Sequence, residues 1–255
     1  MFRLTLTIHP DDEDDLVTRL HHTALTGLEQ ENRADGLVDF HVWFSTAPGA
    51  QDAAARLHEA HARIDEVEDQ NWNAAWQATW RPILAGQRWY LTPPGDQSAT
   101  PVNRIRLEMH PGLAFGNGDH PTTQLCLIAM ETLVRKGDIF LDAGCGSGLL
   151  GQAAHLLGGQ AFGCDLDPTG LPSNSFVGSI DAIKTQSIDI AVMNIQAGTL
   201  IELWPGLARV TKREAILSGF LPDQADLIEA MIQRPWRVLS MQEQGGWCAL
   251  VATSQ

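Results

Sequence analysis

Basic residues are scarce in this chain: 17 Lys and Arg stand against 31 Asp and Glu in 255 residues, a formal charge of -14. The shortage is greatest at the start, where residues 1–70 hold 15 acidic residues, 5 Arg and no Lys. Such a surface repels phosphate backbones, so direct nucleic-acid binding is not expected, and it favours a basic partner. Charge of this kind also serves solubility alone. Cysteine is sparse as well. Cys126, Cys145, Cys164 and Cys248 form no C-x-x-C pair, so zinc and thioredoxin-like redox chemistry lack support and a reduced compartment fits. Long apolar runs are missing: none approaches the roughly 20 residues that span a bilayer. The start of the chain alternates like a strand and lacks a signal-peptide core, so a cytoplasmic protein without membrane association is the expectation. A monomer is expected, although no residue pattern decides the oligomeric state.

Residues 2–8 alternate apolar and polar, and Pro10 with the acids at 11–15 then opens a helix. Acid in a first turn suits the helix dipole better than it suits a metal loop. Strands are expected near 27–31, 38–44 and 64–68, with a helix over 51–62. The order strand, helix, strand, strand, helix, strand suggests a small ferredoxin-like α+β domain over residues 1–69. His58 and His61 lie one helical turn apart without a third ligand, so no metal is assigned. Trp72, Trp76 and Trp80 recur every fourth residue, a packing ridge on a linker helix that Pro82 ends. Residues 70–100, including a strand at 86–91, read as the connecting segment.

Residues 101–255 alternate strand and helix, the pattern of a parallel sheet covered on both faces, and end in a hairpin. The chain is organised around residues 139–148, Ile-Phe-Leu-Asp-Ala-Gly-Cys-Gly-Ser-Gly. An apolar strand closes at Asp142, and Gly144, Gly146 and Gly148 turn it into a helix where a nucleotide can approach the main chain. Gly146, Gly148 and Gly151 also satisfy G-x-G-x-x-G, so a nicotinamide nucleotide competes with S-adenosyl-L-methionine for this turn. With either ligand, Asp165 at the end of the next strand suits the ribose hydroxyls. Asn194 ends a later strand, where such sheets bind ligands. Upstream, His120, Thr122 and Thr123 precede an apolar helix over 124–134, and a threonine there serves equally well as a helix cap.

Four stretches together, residues 115–123, 141–148, 163–168 and 194–197, resemble the PrmA family, methyltransferases of the eleventh protein of the large ribosomal subunit. Trp72, Trp76, Trp80 and Arg81-Pro82 are similar to that family's linker. The pattern Asp-x-Gly-x-Gly-x-Gly is similar to the S-adenosylmethionine motif of class I methyltransferases. The resemblance implies a Rossmann-like domain whose parallel sheet is closed by an antiparallel hairpin, behind a ferredoxin-like domain that recognises the ribosomal protein. It implies methylation of lysine side chains and of the α-amino group, with cofactor contacts at Thr123, Gly144, Gly146, Asp165 and Asn194. Asn194 and the pocket residue His120 are the candidates for holding the amine. A methyltransferase of another protein or small molecule, or a non-catalytic binding module, would share these motifs.

Two departures stand out. The chain has Gly116-Asn117-Gly118 where the family has Gly-Thr-Gly. Only residues 169–175 separate Pro168 from Phe176, too few for a helical crossover, which needs about 10 to 12. Either the third strand pairs differently and leaves the adenine pocket open on that side, or a stretch is missing.

Overall fold

The computed structural model describes residues 1–9, 16, 19–20, 23, 25–33, 35–57, 62–67, 81–109 and 118–254. The acidic cluster at 11–15, His21, His22, His58, His61, the three linker tryptophans and residues 110–117 lie outside them, as does the expected boundary near residue 70. By backbone contacts the chain divides into units at residues 1–78 and 79–255.

In the first unit, alternation builds the core. β1 (Phe2–Ile8) buries Leu4, Leu6 and Ile8, and β3 (Val38–Phe44) buries Val38, Phe40, Val42 and Phe44. Their antiparallel register sets Leu4 opposite Val42 and Leu6 opposite Phe40, so both apolar sets share one face. With β2 (Gly27–Asn32) and β4 (Arg63–Glu66) the sheet runs β2-β3-β1-β4, every neighbour antiparallel. Helix α1 (Ala47–Leu57) lays Ala50, Ala53 and Leu57 on that face. It starts four residues before the expected position 51, because the Thr46 hydroxyl accepts the Gly49 N–H at 3.2 Å and caps an earlier turn.

In the second unit, β5 (Ile83–Ala85) and β6 (Trp89–Thr92) form a hairpin, and β7 (Ile105–Glu108) pairs parallel with β6. The strand expected at 86–91 begins only at Trp89, and residues 86–88 form the hairpin turn. Gly86 has φ +54° and belongs to the turn. Trp89 is fully buried and donates its indole N–H to the Leu127 carbonyl at 2.8 Å, tying this small sheet to helix α2 (Pro121–Leu133).

The main sheet contains β8 (Ile139–Ala143), β9 (Gln160–Asp165), β10 (Ser175–Val177), β11 (Ile188–Asn194), β12 (Thr211–Phe220), β13 (Arg237–Gln244) and β14 (Trp247–Thr253). Its order is β10-β9-β8-β11-β12-β14-β13, parallel from β10 to β12 and closed by the antiparallel β13–β14 hairpin. Helices α2 and α3 (Leu149–Leu156) cover one face with Phe140, Ile190, Val192 and Ile216 beneath them. Helices α4 (Ala197–Val210) and α5 (Ala225–Met231) cover the other, over Leu141, Met193, Leu217 and Leu250. Each of these large side chains contributes about 1.5–3 kcal/mol by leaving water.

The short crossover has a plain solution. β10 pairs parallel with β9, Ser175 opposite Gly163, which rules out the first of the two alternatives, a third strand that pairs differently. Residues 166–174 carry no helix. Stepping back along three residues of strand covers only about 10 Å, within reach of an extended loop. The Asn174 amide pins that loop by donating to the Ala161 carbonyl at 2.8 Å.

Candidate cofactor and amine site

The site forms where β8, β9 and β11 end. Period-two alternation along β11 puts Ile190, Val192 and Asn194 on the face beneath α2. Asn194 therefore meets the buried first turn of that helix, and its Nδ2 lies 3.4 Å from Thr123 Oγ1. Thr123 is free for this contact because neither threonine is the cap. His120 caps α2: its Nδ1 accepts from the Thr122 N–H at 3.3 Å and lies 2.8 Å from the Thr122 hydroxyl. Burial holds the His120 pKa below the ordinary value despite the opposing charge of Asp119, which suits a neutral ring with Nδ1 as acceptor. The ring also packs edge-on against Trp247 at 5.0 Å.

Asn194 is 8 % exposed, and its Oδ1 has no hydrogen-bond partner among the described residues. A buried carbonyl left so costs roughly 1–3 kcal/mol until a donor arrives. Beside it, Ile195 is wedged between two glycines. A Cβ on Gly144 (φ +73°) would stand 2.8 Å from Ile195 Cγ2, and a Cβ on Gly219 (φ +101°) only 2.1 Å from the Ile195 carbonyl oxygen. Gly219 sits at a register shift in the β12–β14 ladder, so the strand bulges toward Ile195. The glycine interrupting an otherwise apolar strand pattern was the sequence signal for this close approach.

The glycine turn and β9 are joined through main-chain bonds. Gly144 N–H donates to the Cys164 carbonyl at 2.8 Å, and Gly146 N–H to Asp165 Oδ2 at 2.9 Å. Asp165 Oδ1 accepts from Asp167 N–H at 3.0 Å, which aims the carboxylate at the end of the strand. The structure thus brings Thr123 to Asn194 and Gly146 to Asp165, and sets Gly144 against the residue after Asn194.

Asp142 faces the other way, under α3, with Oδ2 accepting from Gly151 N–H at 3.3 Å. Burial, opposed by that bond and reinforced by the charge of Asp165, pushes its pKa up to about 8. The motif gave no hint of this, because burial depends on which helix covers the strand. Burial also pushes Cys145 up to about 11 and Cys164 up to about 12, so these thiols are not nucleophiles at neutral pH. Two cavities, of about 300 and 690 Å³, are lined by none of Thr123, Gly144, Asp165 or Asn194. No group of metal-ligating side chains occurs among the described residues. Nor is any helix among them long and apolar enough to cross a membrane.

A glycine turn that a Cβ would obstruct, a strand-end carboxylate and a buried amide oxygen with no partner among the described residues together suit a nucleoside-bearing cofactor. Comparison with known proteins decides which one. The model of the family described as ribosomal protein L11 methyltransferase (PrmA) matches residues 11–255. The chain belongs to that family. It is 35 % identical over 201 residues to the ribosomal protein L11 methyltransferase of Azotobacter vinelandii, covering 72 % of this chain and 68 % of that protein. It is 31 % identical over 277 residues to that of Myxococcus xanthus, covering 96 % of each chain. A crystal structure of ribosomal protein L11 methylase from Lactobacillus delbrueckii subsp. bulgaricus superposes with a TM-score of 0.60 at 26 % identity, covering 68 % of this chain and 98 % of that one. The protein is an S-adenosylmethionine-dependent methyltransferase with the Rossmann-like fold of class I, and the nicotinamide alternative falls away.

Proposed function

We propose that this enzyme methylates amines of ribosomal protein L11, on lysine side chains and at the α-amino group. The observation that carries the reading is Asn194, whose buried Oδ1 has no donor among the described residues while Nδ2 leans on Thr123. An incoming amine has N–H groups to give that oxygen, and bonding there aligns its lone pair for attack. Bound S-adenosylmethionine supplies an electrophilic methyl on a sulfonium. Asp165 would hold the ribose hydroxyls by charge-assisted bonds, and Gly144 and Gly146 leave the main chain open to the ligand. Only a neutral amine attacks, and lysine, with a reference pKa near 10.4, must shed its proton on entering. Desolvation at the buried end of β11 favours that loss. His120, neutral and fixed by Thr122, borders the path as a pocket residue.

Substrate selection falls to the first unit. Its sheet order supports a ferredoxin-like reading, and its acidic surplus complements a basic ribosomal protein while repelling nucleic acid. In this reading the protein acts as a cytoplasmic monomer, and the segment around residues 70–100 connects recognition to catalysis. The test is transfer of labelled methyl from S-adenosylmethionine to unmethylated large-subunit ribosomal proteins, resolved by mass. Label on L11 is the expected result. A folded enzyme that labels another protein, or none, would overturn the substrate.

A further inference from the structure

The start of α2 is gripped from outside by the end of the β13–β14 hairpin. Gln124, 8 % exposed, turns its side chain back so that Nε2 donates to the Asp119 carbonyl at 2.9 Å and reaches the Gly118 carbonyl at 3.5 Å. Its Oε1 in turn accepts from Gln244 Nε2 at 2.6 Å, across 120 residues of sequence. Beside this bond the Gly245 backbone lies against Pro121, where an added Cβ would sit 3.0 Å from Cγ, and Trp247 meets the His120 ring. Every one of these contacts falls on residues 118–121 or on the turn of helix that carries Thr123. Most of β13 is an exposed edge strand, yet its last residue is committed to this bond.

We propose that Gln244 and Gln124 are positioning residues for methyl transfer: the two amides lock the turn at 118–120, and so hold in place both His120 and Thr123, the latter against Asn194. The proposal rests on the reading of Asn194 and His120 given above. The amide chain is directional. By bonding the Gln124 oxygen, Gln244 keeps Nε2 turned to both backbone carbonyls. Without it, the amide is held by its Nε2 bonds alone and the turn is tied more loosely.

Gln244 is half-buried on a hairpin, so replacing it spares the core. In Gln244→Leu, kcat for methyl transfer to L11 falls about three- to tenfold, the range for one neutral hydrogen bond. Gln244→Lys returns a donor and should restore kcat to near wild type. Gln124→Glu keeps the acceptor and loses the donor to Asp119 and Gly118. Its kcat should also fall, and should recover relative to wild type as pH is lowered and the carboxyl regains a proton. The His120 ring resonances, shifted by the Trp247 ring, should move in Gln244→Leu and return in Gln244→Lys; this readout does not depend on the substrate. Wild-type kcat and unchanged His120 resonances in Gln244→Leu would overturn the proposal, as would equal losses in the Leu and Lys variants. A wild-type enzyme inactive on L11 would instead overturn the substrate and leave the resonance comparison to decide the latch.

Discussion

Replacing Asp142 by Asn should make the second unit less sensitive to alkali. Asp142 is 2 % exposed under α3, with the Gly151 N–H as its bond and the Asp165 carboxylate adding repulsion. Its pKa is pushed up to about 8 in the folded chain, against about 3.9 for an unfolded aspartate. Between those values the folded state holds a proton that the unfolded state has released. Stability therefore falls as pH rises through this window, by at most about 1.4 kcal/mol per pH unit from this one group. From pH 5.5 to 7.5 the loss is about 2.7 kcal/mol, or roughly 5–10 °C in the melting midpoint of a domain this size. Asparagine cannot ionise and still offers Gly151 an oxygen acceptor. The gap in midpoint between wild type and Asp142→Asn should change steadily across this range, in favour of the variant, and level off above about pH 8. Thermal unfolding of both proteins from pH 5 to 9 measures it. A gap that stays constant with pH would mean that Asp142 is ionised throughout and that its burial has been misjudged.

Asp165→Ala removes the acceptor for two main-chain N–H groups and the proposed ribose partner, so calorimetry should find S-adenosylhomocysteine affinity lowered about 100-fold or more; affinity within threefold of wild type would refute the assignment. Gly219→Ala must carry a side chain at φ +101° against the Ile195 backbone, which should cost about 2–4 kcal/mol in urea unfolding. A wild-type midpoint there would show that the bulge has room to spare. His120 resists protonation in the fold, so its ring resonances should titrate below pH 6.5. The stability it contributes as a neutral cap is present above that pH and lost as pH falls through the folded pKa. A midpoint above 6.5 would contradict the half-buried acceptor.

Local chemistry alone determined much of this protein. Period-two alternation identified β1 and β3, three alternate glycines after an apolar run announced the turn at 144–148, and a carboxylate closing the next strand marked Asp165. These features are legible because a backbone angle or a face of a strand is decided by residues a few positions apart. What the tertiary structure decided involves residues far apart. Thr123 and Asn194 are 71 residues apart, and Gln124 and Gln244 are 120 apart. His120 rather than a threonine became the helix cap, Gly86 became a turn within an expected strand, and β10 joined β9 without a helix because an edge strand needs only a short step back. Asp142 and Asp165 are both aspartates at the ends of strands. One is buried beneath α3 and the other turns its carboxylate to the glycine loop, because only the packed helices determine which carboxylate loses its water.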